Sequence, residues 1–485
     1  MTNHKYLFNF VSLRNLLALI IVCQMSGCSN IPKMVPDMAQ HRSRPVQFEN
    51  SKGPLTAKQS KAILAKLKKN GDDTNILDKH LALETEIVDG PLVIGNKVDL
   101  LVDGTATYEA MIAAIDRAKN HINMETYIFE DGEVGQFFAQ KLILKQNSGV
   151  QVNLIYDSAG SVDTPKDFFK KLSDSGINVL EYNPINPFNT RKSWEFNQRD
   201  HRKLLIVDGE TAFVGGINIS SVYSNGSYGG GILSHAKTKS DANGKPATPW
   251  RDTHLKITGA VVSDFQKLFL STWAAQKGPP LANKNYYPQI ESQPNSVEIK
   301  VIGSEIVRAI GSSPEEPYSQ IYVTLLSAIN SAETQISLTN AYFVPDEQLL
   351  AALKEAVARG VDVRLLLPEK TDSTLVFYAS RSFYDELLSA GVKIYERNHS
   401  LLHAKTALID GVWSTIGSTN LDWRSFTNNQ EINAVILGQS FGNQMQALFD
   451  KDLAASTNIT LATWRQRSIA SRIKEHLARL WARLL

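Results

Sequence analysis

The sequence predicts an α/β protein made of two halves related by a pseudo-twofold axis, each half a mixed β-sheet flanked by helices. Two observations support this prediction. From about residue 91 onwards, short apolar segments typical of strands alternate with longer segments of helical periodicity. The same order of segments then recurs in the second half of the chain. With 485 residues, of which 43% are hydrophobic, the chain is long enough to bury a core in both halves.

The internal repeat is visible in four pairs of segments. On this basis each half is predicted to run helix, strand, helix, strand, helix, strand, strand. The pairs are ETYIF at 125–129 with NAYFV at 340–344, GVQVNLIYD at 149–157 with GVDVRLLLPE at 360–369, FFKKLSDSGINVLEYNP at 168–184 with FYDELLSAGVKIYERN at 383–398, and HRKLLIVDGETAFVGGIN at 201–218 with HAKTALIDGVWSTIGSTN at 403–420.

Composition divides the chain into six segments. A polar stretch with scattered proline is predicted to be a tether up to about residue 60, and residues 57–70 are predicted to form a short basic helix. The Gly/Ser/Lys-rich loop at 224–249 is an insertion without a counterpart in the second half, and it is predicted to be either disordered or a lid, with a gate over the acceptor site as one hypothesis. The predicted segments are a signal peptide at 1–27, a tether and N-terminal segment at 28–90, the first half at 91–280, a linker at 281–297, the second half at 298–461 and a basic amphipathic helix at 462–485.

The N-terminus has the pattern of an export signal. Lys5 and Arg14 precede the short apolar run LLALIIVC at 16–23, and MSGC follows at 25–28. The run is too short to span a bilayer comfortably. Its ending resembles the lipobox of bacterial lipoproteins, which implies cleavage before Cys28 and lipidation of that residue. The alternative is an N-terminal membrane anchor that is never cleaved.

The cysteine content agrees with the lipoprotein interpretation. The chain has two cysteines, Cys23 and Cys28, so a chain cleaved before Cys28 keeps one and can form no internal disulfide and no cysteine-based metal site. The lipobox resemblance implies a membrane-anchored lipoprotein of the bacterial cell envelope whose globular part faces the periplasm. Ser29, rather than the Asp associated with inner-membrane retention, favours an outer-membrane over an inner-membrane destination.

The fourth pair of segments carries polar residues at fixed spacing on a predicted strand. Because side chains alternate along a strand, His201 and Lys203 share one face and Asp208 takes the other. In the second copy, His403 and Lys405 point together and Asp410 lies opposite. The histidine and lysine can therefore reach one substrate group, whereas the aspartate is expected to support local structure.

Further along each copy, small residues precede an amide. Gly216 and Ser418 are small residues at positions where another group must come close, and we include them in the predicted substrate-binding set. Asn218 and Asn420 supply amide donors. A single His-x-Lys pair is a common accident, but the full pattern twice, at matching places of a repeat, indicates a functional site.

This set of residues fits the chemistry of a phosphodiester. Two histidines can divide the work of nucleophile and general acid. Two lysines and two asparagines can neutralise the bound anion and the charge that develops on it. The set requires no metal and no cofactor. A formal net charge of only +2 gives no support to a protein that binds nucleic acid through a general basic field.

The repeated motif resembles the signature of the phospholipase D superfamily, and the resemblance covers roughly residues 90–455. The flanking segments WRDTHLKITGAVV at 250–262, NAYFVPDEQLLAAL at 340–353 and NNQEINAVI at 428–436 look like those of bacterial cardiolipin synthases. The resemblance implies two phospholipase D-like halves and a covalent phosphohistidine intermediate.

Particular roles follow from the resemblance. His201 would attack the lipid phosphate, and His403 would protonate the departing alcohol and then deprotonate the incoming one. Asp252 and Glu431 match the acids that orient the histidines in that family. The remaining motif residues complete the predicted site, with the lysines and asparagines holding the phosphate oxygens: Lys203, Lys405, Asn218, Asn420, Asp208 and Asp410.

The motifs leave the second substrate open. Attack by water on the phosphoenzyme would give a phospholipase D that releases phosphatidic acid. Attack by the glycerol hydroxyl of phosphatidylglycerol would give cardiolipin, with phosphatidylethanolamine as a further candidate substrate. The flanking resemblance and the envelope signal favour phosphatidyl transfer. A nucleic-acid phosphodiesterase and a non-catalytic binding module are the remaining alternatives, and no nucleic-acid partner is expected.

The chain ends in a basic amphipathic pattern for which two interpretations stay open. The helix either packs on the protein or lies in the membrane interface. Its apolar residues near one stripe are Trp464, Ile469, Ile473, Leu477, Leu480, Trp481 and Leu484.

Overall fold

The computed structural model describes residues 45–70, 74–185, 197–224, 248–288 and 302–485. An N-terminal segment precedes the two halves. Its elements are β1 Phe48–Asn50, β2 Gly53–Pro54, α1 Ala57–Asn70, a π-helical turn Ile76–His80 and α2 Leu81–Ile87.

The first half comprises a run of strands and helices that ends in a long helix. Its elements are β3 Leu92–Val102, α3 Asp103–Arg117, β4 His121–Thr126, α4 Glu133–Asn147, β5 Gln151–Asp157, α5 Lys166–Asp174, β6 Asn178–Tyr182, β7 Arg199–Asp200, β8 Lys203–Val207, β9 Thr211–Gly215, a 3₁₀ turn Ser221–Tyr223, β10 Trp250–Arg251, β11 Thr253–Thr258 and α6 Val262–Ala275.

The second half repeats this order, and a helical segment follows it. Its elements are β12 Glu305–Ser312, α7 Gln320–Ser331, β13 Gln335–Asn340, α8 Glu347–Ala358, β14 Asp362–Pro368, α9 Thr374–Arg381, α10 Tyr384–Ala390, β15 Lys393–Arg397, β16 Leu401–Leu402, β17 Lys405–Ile409, β18 Trp413–Gly417, α11 Trp423–Thr427, β19 Asn429–Leu437, α12 Gln439–Ala454, β20 Ser456–Ile459, α13 Leu461–Arg465, α14 Ile469–Arg479 and a 3₁₀ turn Ala482–Leu484.

The two halves have sheets of identical strand order. In the first half the order is β6–β5–β4–β8–β9–β11–β3. In the second half it is β15–β14–β13–β17–β18–β19–β12. In each sheet the first three strands are parallel and the others antiparallel, so the predicted mixed α/β halves are confirmed. The predicted order has four strands in each half, whereas within the described residues each sheet has seven. It omitted the strands that open and close each half, β3 and β11 or β12 and β19, and it took the pair β8–β9 or β17–β18 as one strand.

Local sequence explains the central strands and the ends of the helices before them. Every residue of β5 is buried, as expected for a parallel strand with a layer on each face. Gly149 ends α4 with φ of 89°, and Gly360 ends α8 with φ of 94°. The left-handed conformation is open to glycine and lets the following backbone amide bond back into the last helical turn, as Val150 does to Lys145 at 3.1 Å.

The halves share one apolar core. Strands β3 and β12 pair antiparallel, with Val93 opposite Val307. The buried cluster around them includes Leu204 and Phe265 from the first half and Ile432 from the second. Burial of apolar surface therefore fixes one half against the other, and this is what brings the two motifs to one place.

The N-terminal segment is folded, which corrects the prediction of a tether as far as residue 60. Strand β1 pairs with β3, and helix α1 occupies the predicted 57–70. Beyond it, Ile76 and Leu81 are fully buried, and His80 Nδ1 lies 3.0 Å from Ser327 Oγ of the second half. The predicted signal peptide and the first part of the tether, up to residue 44, lie outside the described residues.

The helical segment at the end of the chain fits the packed interpretation only in part, and the membrane-interface interpretation stays a prediction. It does pack on the protein, through α9 and α14. Its apolar residues from Ile469 onwards nevertheless stay exposed, and only Trp464 of the predicted stripe is buried. No helix within the described ranges is long and apolar enough to cross a membrane.

The motif aspartates hold the frame and take no part in the site, which corrects their inclusion among catalytic residues. Asp208 has φ of 56° and Asp410 φ of 49°, each at the turn after its strand. The Asp208 carboxylate accepts hydrogen bonds from the backbone N–H groups of residues 119, 120 and 121, at 2.7–3.0 Å. Asp410 does the same for residues 333, 334 and 335. Each aspartate thus ties its turn to the start of the neighbouring strand, at the opposite end of β8 or β17 from the histidine.

Asp208→Ala is expected to destabilise the fold without a specific effect on catalysis. Removal of the carboxylate leaves three backbone donors without their acceptor and should lower the free energy of unfolding by about 2 kcal/mol, measured by urea denaturation. Asp116→Ala is the matched control, because Asp116 makes only an exposed ion pair with Lys141 and its loss should cost below about 1 kcal/mol. Unchanged stability with lost turnover in Asp208→Ala would contradict this assignment.

Candidate active site

The two histidines lie at the junction of the halves. Each histidine lies two residues before the lysine that begins β8 or β17. That lysine pairs with the last residue of β4 or β13. Two short parallel ladders cross the junction and join β7 to β19 and β10 to β16. Next to these ladders, the backbone N–H of His201 donates a hydrogen bond to the carbonyl of Gln430 at 2.9 Å. The backbone N–H of His403 donates to the carbonyl of Arg251 at 2.8 Å.

The ladders deliver an acid of one half to the histidine of the other. His201 Nδ1 lies 3.0 Å from Glu431 Oε1, and His403 Nδ1 lies 2.7 Å from Asp252 Oδ2. Both acids are fully buried. With Nδ1–H donated to a carboxylate, the Nε2 lone pair of each ring is free. The reciprocal contacts are those that a twofold axis produces. The sequence identified both acids but not that they cross between the halves.

The environment keeps the histidines neutral. Burial, with Lys203 and Lys405 acting in the same direction and Glu431 against them, lowers the pKa of His201 to about 4. Burial and Lys405 also lower the pKa of His403. Burial by itself would raise the pKa of each acid, but the facing histidine and the lysines outweigh it and lower the pKa of Asp252 and Glu431. At neutral pH the site therefore holds two imidazoles and two carboxylates.

The two lysines are buried cations beside the histidines. Lys203 Nζ donates to the carbonyl of His201 at 2.5 Å, and Lys405 Nζ donates to the carbonyl of His403. Burial lowers the pKa of Lys203 to about 7 and that of Lys405 to about 8, against the opposing effect of Glu431 and Asp252. A bound anion would stabilise their charged forms, so the pair is suited to hold a phosphate.

The two asparagines differ in their contacts. Asn218 accepts a hydrogen bond from the backbone N–H of Ile128 and donates to the Tyr223 hydroxyl, each at 3.2 Å. The Oδ1 atom of Asn420 is buried and has no hydrogen-bond partner in the described part of the chain. Whether either amide touches the phosphate stays a prediction.

Gly216 and Ser418 face the acids, so the group that comes close at each position is a carboxylate, and their part in substrate binding stays a prediction. A Cβ at Gly216 would meet Asp252 Oδ1 at 2.2 Å, so only glycine leaves room for that carboxylate. The Ser418 hydroxyl donates to Glu431 and accepts from the backbone N–H of Ile432 at 3.0 Å. The backbone N–H of Gly216 also has a partner, because it donates a hydrogen bond to the carbonyl of Thr253. Both positions therefore set the acids in place.

Aromatic residues that the sequence analysis did not assign line the site. The Tyr127 ring lies 5.0 Å from that of His201, and the Tyr342 ring 6.4 Å from that of His403. These tyrosines occupy equal places in the ETYIF and NAYFV segments, so the repeat did carry a signal for them. Trp250 lies 5.0 Å from His403, and the Tyr223 hydroxyl lies 3.3 Å from His403 Nδ1. Neither has an equivalent in the other half, and the intervening residues 225–247 of the predicted gate lie outside the described ranges.

The fold and this site define an enzyme of the phospholipase D superfamily. A family model described as the PLD-like domain of cardiolipin synthase matches residues 111–228 and 325–453. The chain is 35% identical over 407 residues to a cardiolipin synthase of Geobacillus sp. (strain WCH70), covering 84% of this chain and 76% of that relative. The chain therefore belongs to the cardiolipin synthase family of phospholipase D-like proteins.

A second relative agrees with this membership, and a solved structure agrees with the fold. The chain is 34% identical over 401 residues to cardiolipin synthase A of Pseudomonas putida (strain GB-1), covering 81% of this chain and 76% of that relative. The crystal structure of phosphatidylserine synthase from Haemophilus influenzae Rd KW20 superposes with a TM-score of 0.55 at 15% identity. That match covers 80% of this chain and 93% of the other, and it supports the fold alone.

The charge states predict a bell-shaped pH profile of kcat/KM in the free enzyme. Activity should fall below the His201 pKa of about 4, where the ring becomes protonated, and above the Lys203 pKa of about 7, where the lysine loses its charge. In Lys203→Arg the guanidinium stays charged, so the alkaline limb should move towards about 8, the pKa of Lys405. The measurement is hydrolysis of a p-nitrophenyl phosphodiester, each variant normalised to its own maximum. An alkaline limb that does not move in Lys203→Arg would rule out Lys203 as its origin.

Proposed function

We propose that the protein is a phosphatidyltransferase of the cardiolipin synthase type. The observation that carries the proposal is the pair of neutral histidines, each held by a buried acid of the opposite half, with a buried lysine beside each. The names of the curated relatives support the same reaction class. The donor and the acceptor are both taken to be phosphatidylglycerol.

The first step forms a phosphoenzyme. The Nε2 lone pair of His201 attacks the lipid phosphorus, and the bond from phosphorus to the glycerol headgroup oxygen breaks. His403 acts here as its imidazolium, which Asp252 and the negative charge of the bound phosphate stabilise, and it gives a proton to that oxygen so that glycerol leaves. His403 suits the acid role because its contact with Asp252, at 2.7 Å, is shorter than that of His201 with Glu431, at 3.0 Å. A closer carboxylate stabilises the imidazolium better.

The second step transfers the phosphatidyl group. A glycerol hydroxyl of a second phosphatidylglycerol loses its proton to His403 and attacks the phosphohistidine, which releases His201 and forms cardiolipin. Lys203 and Lys405 stabilise the charge on the phosphate oxygens in both steps. Glu431 and Asp252 act through the histidines as positioning residues.

Incubation with headgroup-labelled phosphatidylglycerol tests the acceptor. We expect cardiolipin and free glycerol in equal amounts, separated by chromatography, and neither product in His201→Ala. Added phosphatidylethanolamine should leave this ratio unchanged, whereas released ethanolamine would show a mixed donor. Phosphatidic acid as the sole lipid product would replace the proposal with a hydrolase. The same incubation with an oligonucleotide tests the nuclease alternative, for which we expect no cleavage.

A change of leaving group tests the division of labour between the histidines. A p-nitrophenolate leaves without a proton, so His403→Ala and Asp252→Asn should form the phosphoenzyme from such a diester within about tenfold of the unmodified protein. With phosphatidylglycerol the same variants should lose about 10²–10⁴-fold. His201→Ala and Glu431→Gln should be impaired with both substrates. The burst of p-nitrophenolate is the readout. If Asp252→Asn behaved like His201→Ala, the crossed assignment would be wrong.

We propose further that the protein is an envelope lipoprotein anchored through Cys28, with an outer-membrane destination. The sequence pattern at 16–28 supports this, together with Ser29 after the cysteine. The mature protein should begin at Cys28 and show the mass increment of a lipidated N-terminus. Cys28→Ser should abolish both the increment and the cleavage. An intact N-terminus from Met1 would favour the uncleaved anchor instead.

A further inference from the structure

The last helical segment presents an apolar face to solvent. We define the C-terminal apolar stripe as the six large apolar residues between 469 and 484, which are between 46% and 75% exposed. They recur at helical spacing, so they lie near one face. The stripe consists of Ile469, Ile473, Leu477, Leu480, Trp481 and Leu484.

The opposite face fixes this orientation. Small or paired residues point into the protein: Ala478, Ala482 and Glu475 are buried, and Glu475 accepts from Arg467 Nε at 2.9 Å. The Arg479 guanidinium lies 4.3 Å from the centre of the Phe383 ring. The helix is therefore held by its small face while its large apolar residues stay outside, the reverse of ordinary packing for an amphipathic helix.

The rim of the stripe is basic. Within residues 461–485 the sole acid is Glu475, which is buried. Arg472, Lys474 and Arg483 are exposed and form no ion pair with the described residues. Arg479 forms an ion pair with Glu386 at 3.6 Å. Exposed apolar residues with a cationic rim match the composition of helices that lie in an anionic lipid interface.

The helical segment that carries the stripe packs on elements next to the active site. Helix α9, against which α14 packs, follows the loop that holds Asp372, and Asp372 accepts from the Tyr342 hydroxyl at 2.5 Å, beside His403. At the other end, the Leu485 carbonyl accepts from the backbone N–H of Arg424 at 2.8 Å. Arg424 lies in the first turn of α11, the helix that follows Asn420 of the second motif. The segment therefore packs on two helices, α9 and α11, and each of them follows a loop near His403.

We propose that the C-terminal apolar stripe docks into the interface of an anionic phospholipid surface and turns the His403 side of the active site towards it. The docking rests on the exposed apolar face and its basic rim. The inference that docking helps to supply a diacyl substrate to the active site rests on the proposed function. A second copy of the chain fits the stripe less well, because pairing about a twofold axis would bring the two basic rims together.

Trp481 reports docking without any need for catalysis. The full chain is reconstituted with vesicles of phosphatidylglycerol and phosphatidylcholine whose acyl chains carry bromine, a contact quencher of tryptophan. The quenching specific to Trp481 is the difference between the unmodified protein and Trp481→Phe. We expect this difference with anionic vesicles, and its loss in phosphatidylcholine vesicles and in Ile473→Ser/Leu477→Ser. Because the N-terminus is the same in every sample, its own membrane attachment cancels.

Leu144→Ser is the matched control, since Leu144 is 57% exposed and Leu477 is 56% exposed. The control should keep the quenching. Ile473→Ser/Leu477→Ser should raise the apparent KM for vesicle substrate about tenfold or more, with turnover of a short-chain soluble phosphodiester unchanged. Absence of Trp481 quenching, or equal effects of the two sets of variants, would overturn the proposal. So would a shift from dimer to monomer in Leu477→Ser, because a second copy would then be the occupant. Quenching without any transferase activity would leave the docking intact and defeat the proposed function.

Discussion

The rest of the site depends on one kind of contact, in which a carboxylate of each half binds the histidine of the other half. Neither half contains a complete acid–histidine pair, because Glu431 serves His201 and Asp252 serves His403. The shared core, the β3–β12 pairing and the two short crossing ladders all hold the halves in the register that this exchange needs. Gly216 leaves room for the Asp252 carboxylate, and the Ser418 hydroxyl donates a hydrogen bond to Glu431.

The charged groups of the site are buried, and burial changes their pKa values. Two carboxylates and two lysines lie out of solvent, and the pKa of each lysine is lowered as a result. A buried charge is tolerated only with partners, and here the acids have the histidines and serine while the lysines have backbone carbonyls. A phosphodiester would add the anion that the lysines lack. The site is thus electrostatically prepared for a phosphate and less favourable for a neutral ligand.

The repeat made much of this predictable. The alternation of strand faces separated His201 and Lys203 from Asp208, and the structure shows why: the aspartate binds the turn before β4. The crossing of Asp252 and Glu431 lies beyond such reasoning, since it depends on how two sheets pack across 151 and 230 residues of sequence. Apart from the predicted helix α1, the folded N-terminal segment was missed because its elements are short and are buried through contacts with distant parts of the chain, as His80 is with Ser327. The outward face of α14 was left open by the sequence, because an apolar stripe is typical both of a face buried on the protein and of a helix in a membrane interface.

Histidine-selective ¹⁵N NMR of the ring nitrogens is the most direct test of the crossed site. In Glu431→Gln we expect the His201 resonances and pKa to change, with the pKa falling further because a stabilising negative charge is lost, while those of His403 stay in place. Asp252→Asn should produce the converse. A Glu431→Gln spectrum in which His403 moves and His201 does not would contradict the account.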